Sequence, residues 1–246
     1  MFLGLETEKL WLEVEARYGR PVRTERPPEL EANAEAVVTD NGTPVIRIRE
    51  SVEPTEGRIA HELLHLQMVS EGFAYSIEPR FRSGSVTAEN LALFRRTAEV
   101  VHNGVLHWMF YPKLRSMGMN PSEAFGGQLE ETFFTRTAAG DAMTEQDLAL
   151  NFFKASIEIG DPEIPKRLAA HYLASGWQGP LDTGRAMAES VTNGRPDSPQ
   201  REVDVFLACM NRLFKEAVAF SVLGQTTQPR GAIQVFTVTV SVEVKR

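Results

Sequence analysis

The stretch "GRIAHELLHLQMVSEG", Gly57 to Gly72, sets the hardest condition on the fold. Nothing from Arg58 to Ser70 breaks a helix, and Gly72 is placed to end one. Pro54, with Glu53 and Glu56, suits the start, because a first turn needs no amide from proline and favours acidic groups. On that helix Ile59, Leu63, Leu64 and Leu66 surround His61, Glu62 and His65 with apolar side chains. Burying such a helix takes two imidazoles and a carboxyl out of water, which is costly unless each finds a partner. A surface helix with solvated histidines is the plain alternative, and it leaves the apolar neighbours unexplained.

His61-Glu62-Leu63-Leu64-His65 has the HExxH form. Positions i and i+4 of a helix project from one face, so the two imidazoles can share a cation. Glu62 lies about 100° around the helix from His61, close enough to reach water at the metal without ligating it. Zinc lowers the pKa of water toward ~7, and the glutamate can take the proton as water attacks a carbonyl.

A catalytic zinc takes three protein ligands, so one must come from elsewhere. Glu71 is about 240° around the helix from His65 and points away. The next long helical stretch, "LALFRRTAEVVHNGVLHWMFYPKLRSMG", offers two candidates. Glu99, Asn103 and His107 recur every four residues, with His102 beside them. Glu99 is slightly favoured as third ligand, with Asn103 orienting a ligating histidine, and His107 is the alternative. Tyr111 continues the stripe and is the candidate for stabilising an oxyanion, with Tyr75 and Arg115 as rivals. His171 in "RLAAHYLASGW" has no partner in its neighbourhood and reads as structural.

Around this centre the periodicities alternate between helix and strand. Leu10, Trp11, Val14 and Tyr18 predict an opening amphipathic helix from Leu5 to Tyr18. "EAVVTD" and "PVIRIRE" flank Asn41-Gly42 and predict a hairpin. Thr87 to Met117 reads as one long helix that Pro112 should kink or divide near Tyr111. Further helices are expected from Pro121 to Arg136, Glu145 to Glu158, Ile164 to Ser175 and Arg201 to Phe220. "SIEPRFRSGSVTAEN" reads as a loop, and "LDTGRAMAESVTNGRPDSPQ" as a surface excursion with a short helical piece. At the end, "VTVSVEV" alternates strictly, and such a strand cannot stay unpaired. Its simplest partner is the amino-terminal hairpin.

The expected class is α+β and mostly helical, with a zincin-like core and a small mixed β-sheet made of the N-terminal hairpin plus the C-terminal strand. The expected divisions are a metal-binding core over 1–118, a helical region over 119–230, and a returning strand over 231–246.

Composition narrows the partners. A formal net charge of −7 and a sequence pI of about 5.4 speak against a broad phosphate-binding surface, so direct binding of nucleic acid is not expected. A single cysteine, Cys209, excludes an intrachain disulfide and a cysteine zinc cage, and reads as a small buried apolar residue. The first twenty residues lack the pattern of a signal peptide, and no apolar run approaches the ~18 residues of a membrane span. A cytoplasmic protein is the expectation, with homo-oligomerisation left open.

The segment "VIRIRE…GRIAHELLHL" resembles the strand and active helix of small cytoplasmic bacterial zincins of the ImmA/IrrE kind. "HNGVLHWMFYPKLRSMG" resembles a segment that follows the HExxH helix in bacterial zincin-like proteins, so the likeness covers roughly residues 1–120. Metzincins are disfavoured, because Met68 and Glu71 stand where that pattern needs glycine and histidine. The resemblance implies His61 and His65 as zinc ligands, Glu62 as general base, and a third ligand between Glu99 and His107. The function expected is a zinc-dependent hydrolase, a metallopeptidase acting on a peptide or protein through metal-activated water. The alternative is a degenerate zincin, non-catalytic, serving as a metal-binding or regulatory interaction module.

Overall fold

The computed structural model describes residues 3–81, 88–121, 134–135, 143–215 and 218–244. The class is α+β. Among the described residues the order is α1 (Leu5–Tyr18), β1 (Arg23–Glu25), β2 (Ala34–Val38), β3 (Pro44–Ile48), α2 (Glu56–Ser70), β4 (Ala74–Phe81) and α3 (Ala88–Ser116). The chain continues with α4 (Glu145–Glu158), α5 (Glu163–Ala174), α6 (Gln178–Gly194), α7 (Pro199–Phe214), β5 (Val218–Arg230) and β6 (Ile233–Val244). The strands form two three-stranded sheets, ordered β1-β3-β2 and β4-β6-β5.

Contacts divide the chain into two units, each assembled from separate stretches. Unit 1 is Met1–Tyr75, Phe110–Gln128 and Thr227–Phe236; unit 2 is Ser76–Met109, Leu129–Thr226 and Thr237–Arg246. The division falls inside α3 and inside every strand of the second sheet, so those elements run through both units.

In unit 1, α1 buries Leu10, Val14 and Tyr18 at the spacing read from the sequence, and Gly19 ends it in the left-handed conformation. The fully buried Tyr18 hydroxyl donates to the Leu66 carbonyl at 2.9 Å, which ties α1 to α2. Burial holds that phenol well above its ordinary pKa, so it remains a donor. At the other end of α1, Glu56 accepts from the Gly4 amide at 2.7 Å and the Thr7 hydroxyl at 2.5 Å. In the first sheet, β1 runs parallel and β2 antiparallel to β3, with Glu25 and Glu35 both in register with Arg47. Arg47 pairs with both on the wet face, at 2.9 and 3.2 Å, while Val45, Ile46 and Ile48 are buried. The Asn41 side chain organises the β2–β3 turn, accepting from the Thr43 amide and from the Thr39 and Thr43 hydroxyls.

Unit 2 is built on α4 to α7. Leu148, Phe152 and Ala155 of α4 pack with Leu168, Ala169 and Tyr172 of α5 and with Leu181 of α6. Burying each leucine or phenylalanine of this cluster stabilises the unit by roughly 1.5–3 kcal/mol. The buried Tyr172 hydroxyl is satisfied by the Leu148 carbonyl at 2.8 Å. Close approach is allowed where glycine replaces a side chain: a Cβ on Gly184 would lie 2.7 Å from the Ala149 carbonyl oxygen.

Several sequence expectations need correction. The tail strand β6 lies beside β4 and β5, not in the N-terminal sheet. It is joined to β5 by the two-residue turn Gly231–Ala232, and so local a hairpin closes with far less entropy loss than a return across the chain. What meets the N-terminal hairpin is that turn itself, since a Cβ on Gly42 (φ +82°) would collide with the Arg230 carbonyl. β4 takes up the first six residues of the stretch read as a loop, ending at Phe81, and α6 is a 17-residue helix where a short helical piece was expected. α7 ends at Phe214, so the helix expected to reach Phe220 gives way to β5. Pro112 does not divide α3, which runs unbroken to Ser116. The helix expected from Pro121 to Arg136 falls largely outside the described residues.

Candidate metal centre

α2 begins where Thr55 caps it, its side chain accepting from the Arg58 amide, and it buries most of its length. The HExxH residues therefore lie in the interior: His61 and Glu62 are each 5% exposed and His65 is half-buried. The i, i+4 spacing brings the two Nε2 atoms to 3.2 Å. Two imidazoles on one tetrahedral zinc, at Zn–N distances of ~2.0–2.1 Å, have nitrogens about 3.3 Å apart, so this pair already has the required spread.

His107 on α3 completes the group. One nitrogen from each of His61, His65 and His107 lies within 4.8 Å of the others. Three imidazoles are a donor set that suits zinc and other first-row divalent ions. The geometry is somewhat wider than a filled tetrahedron, and the group is able to hold a metal ion whose identity the side chains alone do not fix. Phe110 walls it, with its ring centroid 5.3 Å from that of His61 and 4.8 Å from that of His65.

Behind His107, its Nδ1 meets the Glu158 carboxylate of α4 at 2.8 Å, with both groups buried. Burial, ahead of the attraction of Glu158, holds the imidazole below its ordinary pKa. The Lys154 ammonium, 3.7 Å from Glu158, and the contact with His107 together outweigh burial and hold that carboxyl below the usual range. Glu62 behaves in the opposite sense. Burial pushes its carboxyl up to about 8, helped by Glu35 and opposed by Arg58. A cation held by the neighbouring histidines would draw it back down.

The remaining candidates are placed as follows. Glu99, favoured from sequence as third ligand, is exposed on α3 and is not brought to the histidines. The reason is helical drift: each four-residue step adds about 40°, so Glu99 sits ~80° around and ~12 Å along the helix from His107. Asn103 is half-buried. Tyr111 is fully buried, its ring centroid 5.8 Å from that of His61, with the Arg115 guanidinium 5.7 Å over the phenol ring. Tyr75 instead carries the Arg230 guanidinium at 5.6 Å. His102 is buried against Glu202 at 2.6 Å, and the exposed His171 packs beside Trp177. Glu71 pairs with Arg17 at 3.0 Å, away from the group.

Glu158 and Glu202 were not singled out from sequence, although a signal existed. Glu158 sits seven residues after the buried Asn151 and three after the buried Ala155, on a face of α4 turned inward. Glu202 opens the stripe of Val205, Phe206 and Cys209. A carboxylate on the apolar face of a helix needs a buried partner.

Compared with known protein families, with curated proteins and with solved structures, the chain finds no match. Among the described residues no helix is long and apolar enough to cross a membrane.

Proposed function

We propose that this protein is a zinc-dependent hydrolase, a metallopeptidase in which Glu62 is the general base. The observation that carries the reading is the convergence of His61, His65 and His107, with Glu62 next in sequence to the first of them. Three nitrogen ligands leave a fourth position for water or substrate, the composition of a catalytic rather than a structural zinc site. When bound, zinc supplies Lewis acidity, which acidifies water and polarises a carbonyl. The protein's part is to hold the ion on three imidazoles and to take the proton of the attacking water on the Glu62 carboxylate. Tyr111, buried beside His61, is the residue this reading assigns to the developing oxyanion. Peptide or protein substrates, and action in the cytoplasm, are the choices favoured by the resemblance to bacterial zincins.

A second reading has its own support. His61, Glu62, His107 and Tyr111 are all buried, and a site so enclosed also suits a metal-binding module without turnover. One set of variants separates the two. Purified protein should carry stoichiometric zinc that His61→Ala and His65→Ala each lose, and metal-free fresh protein would refute both readings. Glu62→Gln should keep the zinc and lose peptide hydrolysis by at least ~100-fold. Hydrolysis at the wild-type rate in that variant would remove Glu62 from the mechanism.

A further inference from the structure

Two histidines of α3 are buried, each against one glutamate of unit 2. His107 meets Glu158 of α4, and His102 meets Glu202 of α7. Both carboxylates are fully buried, so the pairs are matched in burial and in type. They differ in which imidazole nitrogen is engaged. Glu158 takes Nδ1 of His107, whereas Glu202 takes Nε2 of His102. Only His107 belongs to the histidine group.

An ionised carboxylate is an acceptor only, so the nitrogen facing it carries the proton. At His107 this fixes the Nδ1–H tautomer and puts the lone pair on Nε2, the nitrogen that can ligate. It also fixes the rotation of the ring about its bond to the helix. We propose that Glu158 is a positioning residue of the metal centre: it sets the tautomer and orientation of His107, while the His102–Glu202 pair is a packing feature with no part in metal binding. The inference rests on the metal reading above. Carboxylates that orient ligating histidines in this way typically account for 10–100-fold in metal affinity.

The test uses the full chain, stripped by chelator and titrated with zinc against a chromophoric competitor, then with cobalt(II) read by its visible absorption. Glu158→Gln should weaken zinc binding about 10–100-fold and alter the cobalt spectrum, because the third ligand is no longer held in place. Glu202→Gln breaks the matched pair. It should lower thermal stability yet leave zinc affinity within about threefold of wild type and the cobalt spectrum unchanged. Zinc affinity and spectrum unchanged in Glu158→Gln would overturn the proposal, as would equal weakening in Glu202→Gln. If Glu158→Gln does not fold, Glu158→Asp is read by the same criteria, since it keeps the charge and withdraws the oxygen by one methylene. Wild-type protein that binds no zinc removes the metal reading and this inference together. Wild-type binding with an indifferent Glu158 variant removes this inference alone.

Discussion

Gly184→Ala tests whether the spacing of α4 and α6 is set by the missing side chain. The new Cβ would lie 2.7 Å from the Ala149 carbonyl oxygen, 3.0 Å from Phe152 Cβ and 3.1 Å from Phe152 Cδ1. The oxygen belongs to helix backbone and cannot swing aside. Phe152 is buried within the cluster of Leu148, Leu168 and Tyr172, so its ring has little room either. Overpacking of this kind costs about 1–3 kcal/mol. Alanine regains roughly 0.8–1 kcal/mol over glycine in helix propensity. The net is a destabilisation of up to about 2 kcal/mol, which for a chain of this length lowers Tm by up to roughly 8 °C. Thermal unfolding followed by far-UV circular dichroism reads it directly. Gly179 on the same helix is the control, because nothing lies within 4 Å of a Cβ built there, and Gly179→Ala should match or exceed wild-type Tm. A Gly184→Ala protein as stable as the Gly179→Ala control would refute the packing argument. Since α4 ends in Glu158, a displaced α4 should also weaken zinc binding.

Three other outcomes follow from the same structure. Zinc at 100 times its dissociation constant should stabilise the protein by about 2.7 kcal/mol against denaturant, and His61→Ala should abolish that gain. The Cys209 thiol is buried and pushed up to about 12 by desolvation, so alkylation by iodoacetamide at pH 8 should proceed only through unfolding. Rapid labelling of native protein would contradict the burial. In metal-free protein His107 is held below its ordinary 6.5, so the unfolded chain takes up a proton that the folded chain resists. Its contribution to stability is therefore present above pH 6.5 and lost as pH falls below it, which denaturant melts between pH 7.5 and 5.5 would register. A His107→Gln variant should lack that component.

The parts readable in advance were those with a strong period. α1 and α4 fall where Leu10, Val14 and Tyr18, or Leu148 and Ala155, recur on one face. β5 escaped because Ser221 to Pro229 is exposed at every residue, giving no alternation; its shape comes from hydrogen bonding to β6. α6 escaped because Gly179, Pro180 and Gly184 look like turn residues. Pro180 lies in the first turn, where its missing amide costs little, and Gly184 faces α4. At the site, His61, Glu62 and His65 were legible because one helix fixes their spacing. The choice between Glu99 and His107 was not, since a four-residue stripe drifts around the helix. Glu158 lies 51 residues from His107, a distance that no local pattern spans.

The contact between the two hairpin turns, Asn41–Gly42 and Arg230–Gly231, bears on how the chain is made. Thr227–Phe236 belongs to unit 1, whose first residues leave the ribosome more than two hundred residues earlier. At ~5–20 residues per second, the N-terminal helix and sheet wait roughly ten seconds or more for the last piece of their own unit. Until then the surface that the β5–β6 turn will cover is open to other chains. Folding of unit 1 thus waits for residues made more than two hundred positions after its first, and any truncation before Phe236 would leave its opening seventy-five residues without that cover.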